Sequence, residues 1–203
     1  MKIICIGHNY VDHIKELNSP FPTEPVFFLK PETAIIKNNK AFYYPDFSNE
    51  IHYETELVLK ISKPGKNIDQ NFADKYYEEI SVGIDFTARD IQNEFKKKGL
   101  PWEKAKAFDG SAPIGTFINK KGFPDLNNVG FHLFINGKQV QEGNSGNLLF
   151  SFNIIIAHVS KFITLKKGDL IYTGTPKGIG PIQIGDKLEA FIENKKLLEF
   201  NIK

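Results

Sequence analysis

The chain reads as an α+β protein, β-rich with few helices, and three observations carry that reading. Short apolar or alternating segments recur along the 203 residues, the pattern of buried and half-buried strands. Turn chemistry separates them, most clearly at Asn136-Gly137, which lies between two strand-like runs and favours a type I′ hairpin. Helical patterns are few, and the strands are spaced too irregularly for βαβ alternation.

Taken in order, the pattern predicts a strand at Lys2–Ile6, a short helical turn around Asp12–Leu17, and strands at Val26–Leu29, Ala34–Ile36, Glu54–Ile61 and Ile80–Ile84. "TARDIQNEFKKKG" predicts an amphipathic helix. Thr87 and Asp90 have capping-box spacing, Ala88, Ile91 and Phe95 share an apolar stripe, and Gly99 stands where a left-handed stop belongs. Strands follow at Ile114–Ile118 and Phe131–Ile135. "SFNIIIAHVSKF" has the length of a helix, with Ser151 as its cap. Leu170–Thr173, Lys187–Ile192 and Leu197–Ile202 complete the strands, with "FIENKKLLEF" as a terminal hairpin. There is no repeat, low-complexity segment or charged linker, so residues 1–203 form one domain.

Composition excludes several function classes. Apolar residues make up 41% and charged residues 25%, as in ordinary globular proteins. The net charge is +2, and the only dense basic run, Lys96-Lys97-Lys98, has no interleaved aromatics. That is no nucleic-acid footprint; it suits a helix C-terminus. Cys5 is the only cysteine, which rules out an internal disulfide and a thiolate metal cluster. The apolar run in "MKIICIGHNY" is too short for a signal peptide, and no stretch reaches the length of a membrane span. A cytoplasmic protein with no membrane or nucleic-acid partner is expected.

Chemistry enters with "HYETELVL". Side chains at i and i+2 share a strand face, so Glu54, Glu56 and Val58 point one way and Thr55, Leu57, Leu59 and Ile61 the other, with His52 joining the acids if the strand begins that early. Two like charges so close repel unless a cation lies between them, and Mg²⁺ or Mn²⁺ favours such oxygen ligands. A solvated edge is the competing explanation.

Asp85, ending an apolar strand just before Thr87, supplies a natural third carboxylate. Arg89 and Gln92 emerge from the first turns of the following helix, able to grip a carboxylate and donate to an oxo group; a capped surface helix is the plainer alternative. Lys104 and Lys106 lie near Trp102 and Phe108, and a partly desolvated lysine there can stabilise an enolate. His13 and Glu16 have the spacing of a base and its orienter on a helical turn, or of an ordinary surface pair. "YTGTPKGIGP" does not match a phosphate loop; its amides and the Thr175 hydroxyl suit a carboxylate, and a tight loop explains it equally well. His8, His132 and His158 have no partner spacing and are read as structural.

The order of these elements is more specific than any one of them. "E-x-E", "D-x-T-A-R-D-x-Q", "K-K-K-G-L-P-W…A-K-x-F-D", "Q-E-G-N" and "T-G-T-P-x-G-x-G" follow one another over nearly the whole chain. In this the chain resembles the fumarylacetoacetate hydrolase family, most closely its short acylpyruvase-type members. The resemblance implies a mixed β-sandwich roll, a homodimer, and Mg²⁺ or Mn²⁺ held by Glu54, Glu56 and Asp85. It further implies a 2-oxo acid contacted by Arg89, Gln92, Lys106 and Thr175, with His13 and Glu16 as base and orienter on a lid-bearing segment within residues 1–25. His8 departs from the family pattern, standing where similar proteins carry Arg in "G-R-N-Y".

The function implied is metal-dependent hydrolysis of a C–C bond in a small 2,4-dioxo acid. His13 activates water, and the pyruvate enolate leaves with stabilisation from the metal and Lys106. The same site suits oxaloacetate decarboxylation or 2-hydroxyhepta-2,4-diene-1,7-dioate isomerisation. A non-catalytic protein that binds a small acid or a metal is the alternative of another class, with less use for the His13–Glu16 pair.

Overall fold

The computed structural model describes residues 1–203. In chain order the strands begin with β1 (Ile3–Gly7), β2 (Val26–Lys30), β3 (Ile35–Ile36), β4 (Ile51–Tyr53) and β5 (Thr55–Ile61). Next come β6 (Tyr77–Ile84), β7 (Thr87–Ala88), β8 (Ala112–Pro113), β9 (Ile118–Asn119) and β10 (Gly130–Ile135). The series ends with β11 (Lys138–Asn144), β12 (Leu170–Tyr172), β13 (Gly180–Pro181), β14 (Lys187–Ile192) and β15 (Lys195–Asn201). The helices are α1 (Val11–Glu16), α2 (Arg89–Lys98), α3 (Glu103–Lys106) and α4 (Phe152–Phe162).

A six-stranded sheet in the order β2-β1-β12-β5-β6-β9 is mixed, with β1 parallel to β12 and the other neighbours antiparallel. A four-stranded antiparallel sheet, β11-β10-β14-β15, lies across the main core from it. Strand alternation explains the near-continuous apolar runs. Ile4, Ile6, Leu57, Leu59, Ile80 and Val82 face Phe131, Leu133, Leu188 and Leu198 in that core. Ile3, Cys5, Val58, Leu170 and Tyr172 point the other way into a second cluster with Ala34 and Ala112. The central sheet is therefore buried on both faces, and β5 has no solvated edge on which to place two glutamates. Truncating a core residue such as Leu57 to Ala would cost about 2–5 kcal/mol. No helix is long and apolar enough to cross a membrane.

Both hairpins form: Asn136 and Gly137 take φ of 52° and 78°, and Glu193 takes 49° at the turn from β14 to β15. "SFNIIIAHVSKF" is the helix α4, buried through Ile155, Ile156 and Val159. Gly99 ends α2 at φ 64°. The start of α2 differs from expectation. Thr87 and Ala88 are extended and pair with β4, so Ala88 occupies the cap position and no Thr87 capping box forms. Of the expected Ala88/Ile91/Phe95 stripe, Ala88 is buried in the main core and Ile91 packs against it, and the helix also buries Arg89 and Gln92. Ile114–Ile118 is not one strand. Gly115 N donates to Val82 O at 2.9 Å and Thr116 N to Leu197 O at 2.9 Å, so the segment crosses between strands β6 and β15 of the two sheets. A Cβ on Gly115 would lie 2.8 Å from the Leu197 carbonyl oxygen, which ordinary residues do not permit.

Candidate active site

Glu54 sits at the break between β4 and β5, Glu56 lies inside β5, and Asp85 follows β6. Antiparallel pairing of β5 with β6, and the 2.8 Å bond from Asp85 N to Glu54 O, set the three carboxylates side by side. One oxygen from each lies within 4.8 Å of the others, and all three residues are buried. His52 does not join them; it pairs across the small β13-β4-β7 sheet, with Nε2 2.9 Å from Glu50 Oε1.

Buried charges require partners. Arg89 Nη2 donates to Glu54 Oε1 at 2.5 Å, and Lys106 Nζ donates to Glu54 Oε2 and Asp85 Oδ2, each at 2.8 Å. Burial works against the Glu54 charge, but Lys106 and Arg89 outweigh it and hold the carboxyl well below the usual carboxylate range. Burial likewise opposes the Lys106 charge, yet Asp85 and Glu54 keep its pKa above the ordinary value. The third donor of Lys106 goes to Thr87 Oγ1 at 2.5 Å, so its ammonium acts on the cleft through charge rather than through a free N–H.

Lys30, on β2, was not singled out from the sequence. Its ammonium is 2.7 Å from Asp85 Oδ1 while donating to the carbonyls of Phe86 and Ser111 at 3.2 and 2.8 Å. The ion pair is close, yet Asp85 Oδ1 accepts no hydrogen bond of acceptable geometry.

Glu56 differs from its neighbours in having no cationic partner. Its Oε2 accepts from Gly174 N at 2.7 Å, and burial together with the Asp85 charge pushes its carboxyl well above the usual range. Gly174 takes φ 105°, and a Cβ there would lie 2.7 Å from Asn9 Cβ. Asn9 fixes this turn by donating to Thr173 O at 2.8 Å and to Phe150 O at 3.1 Å.

Three converging carboxylates, one with an orphaned oxygen and one without a cation, fit a hard divalent ion such as Mg²⁺ or Mn²⁺. Zinc, which prefers nitrogen and sulfur, is a poorer match.

The cleft above them is lined by His8, His13, Phe28, Glu54, Glu56, Asp85, Arg89, Gln92, Lys96, Trp102, Lys106 and Thr175. Of the residues expected in the site, all lie on it except Glu16, which stands behind His13, and Lys104, which is exposed on α3. Glu16 Oε2 is 2.9 Å from His13 Nδ1, and its Oε1 accepts from Gly178 N at 3.0 Å. Since a carboxylate only accepts, Nδ1 carries the proton and Nε2 is left as the basic nitrogen.

The glycine-rich loop behaves differently from expectation. The amides of Gly174 and Gly178 hold the protein's own Glu56 and Glu16, leaving Thr175 as the loop's contribution to the cleft. Arg89 Nη1 donates to Gln92 Oε1 at 2.6 Å, which turns the Gln92 amide nitrogen into the free end. His8, read above as structural, lines the cleft; burial and the nearby Lys96 charge push its imidazole pKa down. Lys96 follows Arg89 by seven residues on α2 and lines the same cleft with no anionic partner.

The profile described as "Fumarylacetoacetate (FAA) hydrolase C-terminal" matches residues 2–203. The chain is 43% identical to the Mus musculus protein named oxaloacetate tautomerase FAHD1, mitochondrial, over 99% of this chain and 91% of the relative. It is 41% identical to Escherichia coli oxaloacetate tautomerase YcgM, over 97% and 90% respectively. Among solved structures, fumarylpyruvate hydrolase from Pseudomonas aeruginosa, in complex with Mn²⁺ and pyruvate, superposes with a TM-score of 0.93 at 32% identity. That match covers 100% of this chain and 89% of the other.

Proposed function

Because this chain belongs to the fumarylacetoacetate hydrolase family, we propose that it is an enzyme interconverting the keto and enol forms of oxaloacetate. The carrying observation is that a histidine oriented through Nδ1 lines the same cleft as a buried carboxylate cluster threaded by cations. A base and an electron sink thus share one small space. Similarity to two oxaloacetate tautomerases over nearly full length favours this substrate over the acylpyruvate expected from the motifs alone.

The chemistry follows from the side chains. His13 Nε2 takes a proton from C3 of the bound 2-oxo acid, and Glu16 stabilises the resulting imidazolium through Nδ1. Electron density moves from the C3–H bond to the 2-oxo oxygen. Lys106 and Arg89 lend positive field there, and the Gln92 amide and Thr175 hydroxyl are placed to donate. Return of the imidazolium proton to that oxygen, directly or through water, completes the enol and leaves His13 neutral, and the reverse sequence returns the ketone. Mg²⁺ or Mn²⁺, held by Glu54, Glu56 and Asp85, would supply Lewis-acid polarisation of the 2-oxo group and orientation of the acid. Lys96 at the mouth is placed to meet the second carboxylate of a dicarboxylic substrate.

Hydrolysis of an acylpyruvate is the second reading, favoured by the fumarylpyruvate hydrolase neighbour. It needs the same base, acting on water. Decarboxylation needs only the electron sink, whereas dienoate isomerisation is a proton shift and draws on the same base. A non-catalytic acid-binding protein would have no use for a Glu16 anchored at both oxygens. A homodimer is part of the proposal. Edge strand β2 leaves Val26 and Leu29 exposed beside Leu100 and close to Phe162, and light scattering will read the mass. With a small water-soluble acid as substrate, a cytoplasmic setting belongs to the same reading.

The test is a panel of oxaloacetate enol, acylpyruvates and a 2-hydroxydienoate, assayed with Mg²⁺. Tautomerisation should exceed the other activities. Acylpyruvate hydrolysis with no acceleration of enol–keto exchange would overturn the assignment in favour of the second reading.

A further inference from the structure

Gln141, on β11, does not line the cleft, yet it is 3% exposed and all its hydrogen-bonding groups point inward. Its Oε1 accepts from Thr55 N at 2.9 Å, while its Nε2 donates to Pro176 O and to Thr175 Oγ1, each at 2.8 Å. The amide orientation is unambiguous. A backbone N–H only donates and a proline carbonyl only accepts, so each neighbour permits one end of the amide.

The consequence falls on Thr175. An amide nitrogen is no acceptor, so Thr175 Oγ1 must accept from Gln141, and its own hydrogen points elsewhere. No protein acceptor takes that hydrogen, although the residue is only 4% exposed and lines the cleft. We infer that Gln141 is a positioning residue that makes Thr175 an obligate hydrogen-bond donor to an anionic oxygen of the bound 2-oxo acid. Without it nothing would fix the direction of the hydroxyl, which could then present lone pairs to the ligand. This inference rests on the cleft being a 2-oxo acid site.

The experiment is calorimetric binding of oxalate, with Mg²⁺ saturating, to the wild type, Gln141→Glu, Thr175→Val and the double variant. Gln141→Glu keeps the acceptor for Thr55 N but offers Thr175 only an acceptor, which captures its hydrogen. A hydrogen bond to a charged group contributes about 1.5–3 kcal/mol, so Gln141→Glu and Thr175→Val should each weaken oxalate about tenfold or more. The double variant should bind like Thr175→Val alone, because Gln141 acts through that hydroxyl. An equal penalty from Gln141→Glu in both backgrounds would mean simple charge repulsion and overturn the inference. So would undiminished binding by Thr175→Val. Should Gln141→Glu not fold, Gln141→Met decides: a loss of oxalate affinity that disappears in the Thr175→Val background supports the positioning role, and undiminished binding by Gln141→Met rejects it. Failure of wild type to bind oxalate at all would instead reject the 2-oxo acid reading.

Discussion

The Lys30 ammonium lies 2.7 Å from Asp85 Oδ1, with both side chains almost fully excluded from water. Together with Arg89 and Lys106, it sets three buried cations against the three buried carboxylates Glu54, Glu56 and Asp85. A divalent ion and a dianionic acid would leave that balance unchanged. Stranding a buried charge outright costs about 3–5 kcal/mol, but Asp85 keeps Lys106, so Lys30→Met should lower the unfolding free energy by roughly 1–3 kcal/mol in urea titration. A loss under about 1 kcal/mol, within the range of an exposed pair, would show that Asp85 does not depend on Lys30.

Glu56→Gln tests the cation site. Glutamine retains an acceptor for Gly174 N, so the turn should survive and near-UV circular dichroism should be unchanged. Loss of a partner one step removed from a metal already costs about 10–100-fold in affinity, and loss of a ligand should cost at least as much. Unaltered Mg²⁺ or Mn²⁺ affinity by calorimetry would take Glu56 out of the ligand set.

His13→Ala separates the reactions. Loss of a general base costs about 10²–10⁴-fold, so enol–keto exchange and any acylpyruvate hydrolysis should fall by that order. Metal-dependent decarboxylation of oxaloacetate needs no base and should fall far less. Measuring kcat for each reaction decides it. Equal losses would mean that His13 serves chiefly to seat α1 as a lid over the cleft.

Lys96→Ala addresses substrate choice at the mouth. An exposed charge pair contributes about 0.2–1 kcal/mol, so KM for oxaloacetate should rise by up to about fivefold, with kcat little changed. Added salt should narrow the difference, and inhibition by monocarboxylic pyruvate should not move. A matching change for pyruvate would remove Lys96 from recognition of the second carboxylate.

Asp90 joins the start of α2 to the segment before β4, accepting from Ser48 Oγ at 2.7 Å, Asn49 N at 3.0 Å and Ile91 N at 2.9 Å. Partial burial opposes its charge, but these bonds hold the carboxyl below its ordinary value. A depressed folded pKa stabilises above the unfolded carboxylate value, about 3.9, and is lost as pH falls through the folded value. Asp90→Ala, which removes these hydrogen bonds, should cost about 1 kcal/mol near pH 7, and its denaturation curve should converge on wild type in acid. A constant difference down to pH 2 would contradict the linkage.

Some of this was legible in the sequence because it depends on neighbours along the chain. Alternation puts Glu54 and Glu56 on one side of a strand whatever the strand later packs against. The Asn136-Gly137 turn, the Gly99 stop and the i, i+3 pairing of His13 with Glu16 are equally local. The motif order added Asp85, Arg89, Gln92, Lys106 and Thr175, and the fold places all of them on one cleft.

Tertiary structure alone decided the rest. Lys30 meets Asp85 across 55 positions and Gln141 meets Thr175 across 34, and no period of 2 or 3.6 encodes such a meeting. Thr87 was read as a helix cap because capping is a local preference, but pairing with β4 claimed its backbone and Lys106 claimed its hydroxyl. Ile114–Ile118 has strand composition, yet two carbonyls from different sheets draw its amides apart. Local sequence sets which groups share a face. Strand order and register determine which face meets which, and that choice turned two glutamates on an apparent edge into part of a buried carboxylate cluster.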